Sequence, residues 1–269
     1  MTDASDANCS HRQLIQGFNE LSGDSMAELD AALLVAEVID AQMDRARVQE
    51  HIQSLLAAAR SQGVMDLEGL LAFLRGQGFA QWSLEGIDLT HSSIDWLLQQ
   101  RQGLPIVVAV LIITLAKALG FEAHGVNYPG HFLLRVQGDL VDPLALVVID
   151  PNSLQLPKGY SLDQVLMKAT PATLGFRMLN NLKAYYLQLG NWQATLAATD
   201  FQLAIVHEEN ELKSLVHFER GNYQQQMGDA DAALASFLLC VETGDDPDIV
   251  ARAQERIGEL TSQQDQPLH

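Results

Sequence analysis

The run GLPIVVAVLIITLAKALG, Gly103 to Gly120, decides the fold. Proline near its first turn and glycine just past its last frame a helix. Between them only Thr114 and Lys117 are polar, so nearly every face of that helix must be covered. The apolar stretch from Ile106 to Leu119 falls short of the ~20 residues that cross a bilayer. The run therefore predicts a buried core helix.

After Gly120 the period of the pattern changes from helical to two. Phe121 to Val126 reads as a strand, and so does His131 to Val136, with Phe132, Leu134 and Val136 facing one way and His131, Leu133 and Arg135 the other. Asn127-Tyr128-Pro129-Gly130 is a tight turn that presents His131, and Gln137-Gly138-Asp139 is a second turn. The continuous apolar run Leu144 to Ile149, closed by Asp150-Pro151, predicts a strand covered on both faces. A helix packed on an antiparallel sheet, an α+β arrangement, follows from these pieces.

Before the core helix, apolar residues recur at helical spacing from Met26 to Ala59 and again from Leu67 to Leu74, and Ser92 or Ser93 is placed to cap a helix from Ile94 to Gln100. Residues 1–25 are polar and aperiodic, which predicts a loosely attached N-terminus. Beyond about Phe176 the pattern is helical and partly repeats: Leu189-Gly190-Asn191-Trp192 and Met227-Gly228-Asp229-Ala230 each open a helix, with the glycines 38 positions apart. Gly221, Ala233, Phe237 and Cys240 follow the small-small-aromatic-small order of a tetratricopeptide helix pair, whose usual period is ~34. Expected are a domain over 26–175, degenerate helical repeats over 176–262 with a capping helix from Ile249 to Leu260, and a tail at 263–269. Trp192, Tyr185 and Tyr186 read as packing between these helices.

The chain has 269 residues, 48% of them hydrophobic, and a net charge of −18 from 16 basic and 34 acidic side chains. Phosphate backbones and anionic membranes are repelled by such a charge, so neither nucleic acid nor membrane is an expected partner. Cys9 and Cys240 are too few for a disulfide framework, and the first thirty residues lack a leader pattern, which makes the cytoplasm the expected compartment. His124 and His131 with Asp142 or Asp150 lack the compact spacing of a zinc motif, so no metal and no cofactor are expected.

Pro105, His131 and Asp150 occur in the chain order of the Cys, His and Asp of transglutaminase-like sites, where a cysteine at the N-terminus of a buried helix is activated by an imidazole that an acid orients. The cysteine position falls on Pro105. Narrower still, Arg101-Gln102-Gly103-Leu104-Pro105, then Gly125 to Arg135 with its Pro129-Gly130-His131-Phe132-Leu133 block, then Ile149-Asp150-Pro151 ahead of helical repeats, resembles the SirB-type family of bacterial transglutaminase-like proteins. The resemblance implies a transglutaminase-like core, a C-terminal repeat module and a regulatory association without a defined activity. Val107 stands where members often carry serine, and the segment after Phe79 lacks an Asn/Asp/Tyr-rich loop.

Two readings of the site stay open at this point. His131 and Asp150 form either a vestigial catalytic dyad or a structural pair, with Asn127 and Tyr128 offering hydrogen bonds to a ligand. The expected function is a non-enzymatic interaction or regulatory protein that binds a peptide or protein partner. The alternative is a weak amide or ester hydrolase in which the dyad activates water, a mode worth only ~10²–10⁴-fold.

Overall fold

The computed structural model describes residues 4–23, 26–79, 86–206, 212–244 and 246–264, with side chains from 10 to 262. Cys9, residues 80–85 and the expected tail lie outside the described side chains. The chain divides into two compact units, Met1–Ser10 with Gly23–Met178 and His11–Ser22 with Leu179–His269. The N-terminal segment expected to be loose is helix α1 (Ala4–Glu20), because Phe18 and Leu21 supply the second unit with side chains that are 0% and 1% exposed. Phe18 lies against Phe201 at a ring separation of 5.1 Å.

In the first unit, α2 (Glu28–Ile39), α3 (Arg45–Ser61), α4 (Leu67–Gly76) and α5 (Ile94–Gln100) lead to the core helix α6 (Pro105–Ala118). Their starts are chemically marked: Asp44, Asp66 and Ser93 each accept a backbone N–H from the first turn that follows. Helix α6 has no side-chain cap and starts on Pro105, whose missing N–H costs nothing at that position. Val107, Ala109, Val110, Leu111, Ile112 and Ile113 are all fully buried. Lys117 reaches out to the buried Glu28 at 2.7 Å, and a carboxylate so placed needs that partner.

The sheet is wholly antiparallel, in the order β4-β3-β2-β1-β5. Its strands are β1 (Ala123–Val126), β2 (Leu133–Val136), β3 (Asp139–Asp142), β4 (Val147–Ile149) and β5 (Lys168–Ala169), with the short helix α7 (Leu162–Val165) before β5. Gln137 and Gly138 both take left-handed conformations, so β2 and β3 are joined by a two-residue hairpin whose twist suits the strands. The run Leu144 to Ile149 corrects the expectation of a doubly covered strand. Its first half turns the chain, with Asp142 accepting from the Leu144 and Ala145 N–H groups, and its second half is an edge strand with Val147 42% and Val148 52% exposed.

One glycine in the sheet is required by packing. A Cβ on Gly125 of β1 would lie 2.7 Å from the Phe132 ring and 3.3 Å from the Ala169 side chain. Gly125→Ala is expected to destabilise the first unit by about 1–3 kcal/mol, as overpacking typically does, read as a lower urea midpoint. An unchanged midpoint would mean that Phe132 can move aside freely.

The second unit is all helical: the rest of α8 (Pro171–Gln188), then α9 (Trp192–Ile205), α10 (Leu212–Gln226), α11 (Ala230–Thr243) and α12 (Pro247–Gln264). Gly190 and Gly228 end helices in left-handed conformation, and the next residues, Asn191 and Asp229, cap the helix that follows. Phe218, Ala233, Phe237, Cys240, Ala253 and Leu260 form a core cluster there. Gly221 lets α10 and α11 touch, since a Cβ there would meet the Phe237 ring at 2.6 Å. Lys183 is buried among polar partners, donating to Gln202 at 2.8 Å and to Glu219, while Gln202 in turn donates to Asn180.

Candidate functional site

The antiparallel register fixes which residues share an end of the sheet. Gly120, with φ +89°, closes the turn after α6, and β1 runs back against that helix, so the Val126 end of β1 points toward the Pro105 end. Val126 pairs with Leu133, which places the Asn127–Phe132 loop at this end as well. Leu134 pairs with Val141, so Asp142 falls opposite Leu133 and joins the same end. Ile149 instead pairs with Leu140, itself opposite Arg135, and the chain leaves β4 at the other end.

Asp150 is therefore not brought to His131. Continuing the register sets Asp150 level with Val136, two strands away, and a rise of about 3.3 Å per residue with about 4.8 Å between strands separates it from His131 by roughly 15–20 Å. The Asp150 carboxylate accepts from the backbone and side-chain nitrogens of Asn152, both at 2.9 Å, and so caps the turn after β4. Proton transfer needs groups within hydrogen-bond reach or one water. The acid that register places at the same end of the sheet as His131 is Asp142, opposite Leu133, and its carboxylate caps the turn that follows β3. Both Asp142-Pro143 and Asp150-Pro151 are Asp-Pro steps at strand ends.

His131 is exposed, two residues before the start of β2, and its carbonyl accepts from Arg177 at 3.4 Å. Arg177 on α8 also donates to the Asn127 side chain at 2.6 Å and to the Tyr128 carbonyl at 3.0 Å, and its guanidinium lies over the Phe132 ring at 5.4 Å. Burial lowers the pKa of Arg177 from its ordinary value, the mark of a desolvated cation. Asn127 and Tyr128 thus both have intramolecular roles: the amide is held by Arg177, and the buried Tyr128 hydroxyl donates to the Gln155 carbonyl. The sequence offered no signal for Arg177, which sits about fifty positions from the loop it fixes.

The first turn of α6, Leu104 to Val108, carries no hydroxyl, thiol, amine or carboxylate. A histidine–carboxylate pair does form in this unit, but elsewhere: His91 Nδ1 lies 3.0 Å from Asp88, and the hydroxyl of Thr90, then His91, lower the Asp88 pKa. That pair closes the turn Leu89–Ser92, and the His91 carbonyl accepts from Leu104 N–H at 2.8 Å, bracing the approach to α6. The Cys240 thiol is buried in the second unit, and burial raises its pKa. Among the described residues no group of His, Cys, Asp and Glu is arranged to hold a metal ion. No single described helix is long and apolar enough to cross a membrane.

Two histidines make stability pH-dependent. His124 on β1 has its pKa lowered by burial, then Lys168, and His217 on α10 has its pKa lowered by burial, then Lys213 and Arg220. Each binds a proton less readily in the fold than in the unfolded chain, where histidine titrates near pH 6.5, so the unfolded state gains as pH drops through that value. The urea midpoint is expected to fall between pH 7 and pH 5.5 and to fall less in a His124→Gln/His217→Gln variant; equal slopes for both proteins would refute the assignment.

Comparison with known proteins agrees with the helix-on-sheet core. The Transglutaminase-like superfamily profile matches residues 36–184. A UPF0162 protein of Pseudomonas aeruginosa is 30% identical over 211 residues, covering 75% of this chain and 77% of that protein. One from Vibrio cholerae is 24% identical over 239 residues, covering 81% and 87%. One from Xylella fastidiosa is 29% identical over 165 residues, covering 56% and 57%. No solved structure matches the chain significantly. The family profile covers more than half of the chain and matches the stretch that holds α6, the sheet and the His131 loop, so this protein belongs to the transglutaminase-like superfamily.

Proposed function

We propose that this chain is a non-enzymatic interaction or regulatory protein of SirB type, in which a transglutaminase-like core has lost its nucleophile and tetratricopeptide-like helices contribute a partner-binding surface. The observation that carries the reading is the first turn of α6, which presents Leu104, Pro105, Ile106, Val107 and Val108 where chemistry of this family would require a thiolate. The register distance between His131 and Asp150, together with the use of the Asp142 carboxylate to cap its own turn, speaks against the alternative hydrolase, because an imidazole without an orienting acid is a poor base. Helical repeats build extended binding surfaces, and a net charge of −18 favours basic partner segments.

Incubation of the purified full chain with activated esters and glutamine-containing peptides tests this. No turnover above that of a His131→Ala variant is expected. Turnover that vanishes in His131→Ala would return the protein to the enzymes.

A further inference from the structure

We infer that the outward face of α11 is a docking strip for a short amphipathic helix that carries lysine or arginine on both sides of an apolar centre. This deepens the reading of the protein as a non-catalytic binder and rests on it.

Helix α11 is apolar on two faces. Ala233, Phe237 and Cys240, all 0% exposed, form the inward face and account for its place in the core. At 100° per residue, Asp231, Ala235, Leu238 and Glu242 fall on a single outward line with Leu239 beside it. Leu238 is 51% and Leu239 42% exposed, and neither belongs to the core cluster around Phe237. A helix that covers a core ordinarily turns polar residues outward. Single exposed leucines need no explanation, but an adjacent pair on a helical stripe bounded by carboxylates has the form of a helix-recognition site.

Charge selects the occupant. Helix α11 contains no basic residue, and acids close its stripe at both ends, eleven positions or about 16 Å apart at 1.5 Å per residue. A second copy of the chain, itself at −18, would set acid against acid, and an anionic lipid surface would be repelled likewise. A partner helix with leucines at the centre and cations toward its ends satisfies both features.

The test uses the full-length protein and a fluorescent synthetic helical peptide of about the length of α11, with central leucines at helical spacing and flanking lysines, followed by anisotropy at physiological and high salt. Leu238→Ser/Leu239→Ser removes the apolar centre without touching the core and is expected to weaken binding about tenfold or more. Asp231→Asn/Glu242→Gln is expected to weaken it less and to flatten its salt dependence. Met65→Ser, at another exposed apolar side chain, is expected to change nothing. Ala235→Arg, which adds a repelling cation to the strip, provides a second loss-of-binding variant, and circular dichroism confirms that each variant is folded. Equal binding by the Leu238→Ser/Leu239→Ser protein, or no binding by the wild type, overturns the inference. Self-association of the wild type that these substitutions abolish overturns the choice of occupant. None of these results touches the proposal that the chain is non-catalytic, which falls only on substrate turnover.

Discussion

Phe237→Ala is expected to destabilise the C-terminal helical unit by about 3–5 kcal/mol, the range for removing a fully buried aromatic side chain. The ring is 0% exposed, packs against Phe218 with centroids 5.8 Å apart, and fills the space that Gly221 leaves open on α10. Its loss opens a cavity between two helices whose backbones are already close. Relaxation is limited because Ala233 and Cys240, its neighbours on the same face of α11, are small and also fully buried. Urea unfolding followed by circular dichroism would show the loss as an early helical transition. A midpoint within error of the wild type would mean that the α10–α11 contact does not hold the unit together. Gly221→Ala attacks the same contact from the other side, so combining the two should be less harmful than the sum, as expected for residues in contact.

Arg177→Ala is expected to cost about 2–3 kcal/mol in the first unit, within the range for hydrogen bonds to a charged group. The larger effect is local. Asn127, Tyr128 and His131 each lose a donor, and the Phe132 ring loses its cationic cover. Hydrogen exchange at the amides of residues 127–132 should accelerate well beyond that of β1 and β2. Arg177→Lys should not restore protection, because a single ammonium does not reproduce a planar fork that reaches the side chain and carbonyls of the loop together. Uniform exchange across the sheet in both variants would show that the loop is held by the turn at Gly130 alone.

The parts of the fold legible in the sequence are those set by local chemistry. Ser93 before Ile94, Pro105 opening α6 and Gly120 closing it state their roles within a few residues, and α6 runs from Pro105 to Ala118. Gly190-Asn191 and Gly228-Asp229 likewise announce helix stops and caps. What escaped depends on distant partners. Strand β3 is only four residues, Asp-Leu-Val-Asp, with no alternation to read, and is given shape by pairing on both sides. Asp142 caps the turn between β3 and β4, so the apolar run after it divides, and the acid at the His131 end of the sheet is Asp142 in place of Asp150. Helix α1 lacked a legible period because, among its described side chains, only Phe18 is buried.

Burial of Cys240 gives the second unit a chemical clock. Its sulfur is sealed among Phe237, Ala233 and Ala253, and only a thiolate reacts readily with an alkylating reagent. Modification at this position, located by mass spectrometry of the peptide that contains it, therefore waits for α11 to part from its neighbours. The labelling rate then counts openings of that helix, and a ligand that clamps it would slow the count.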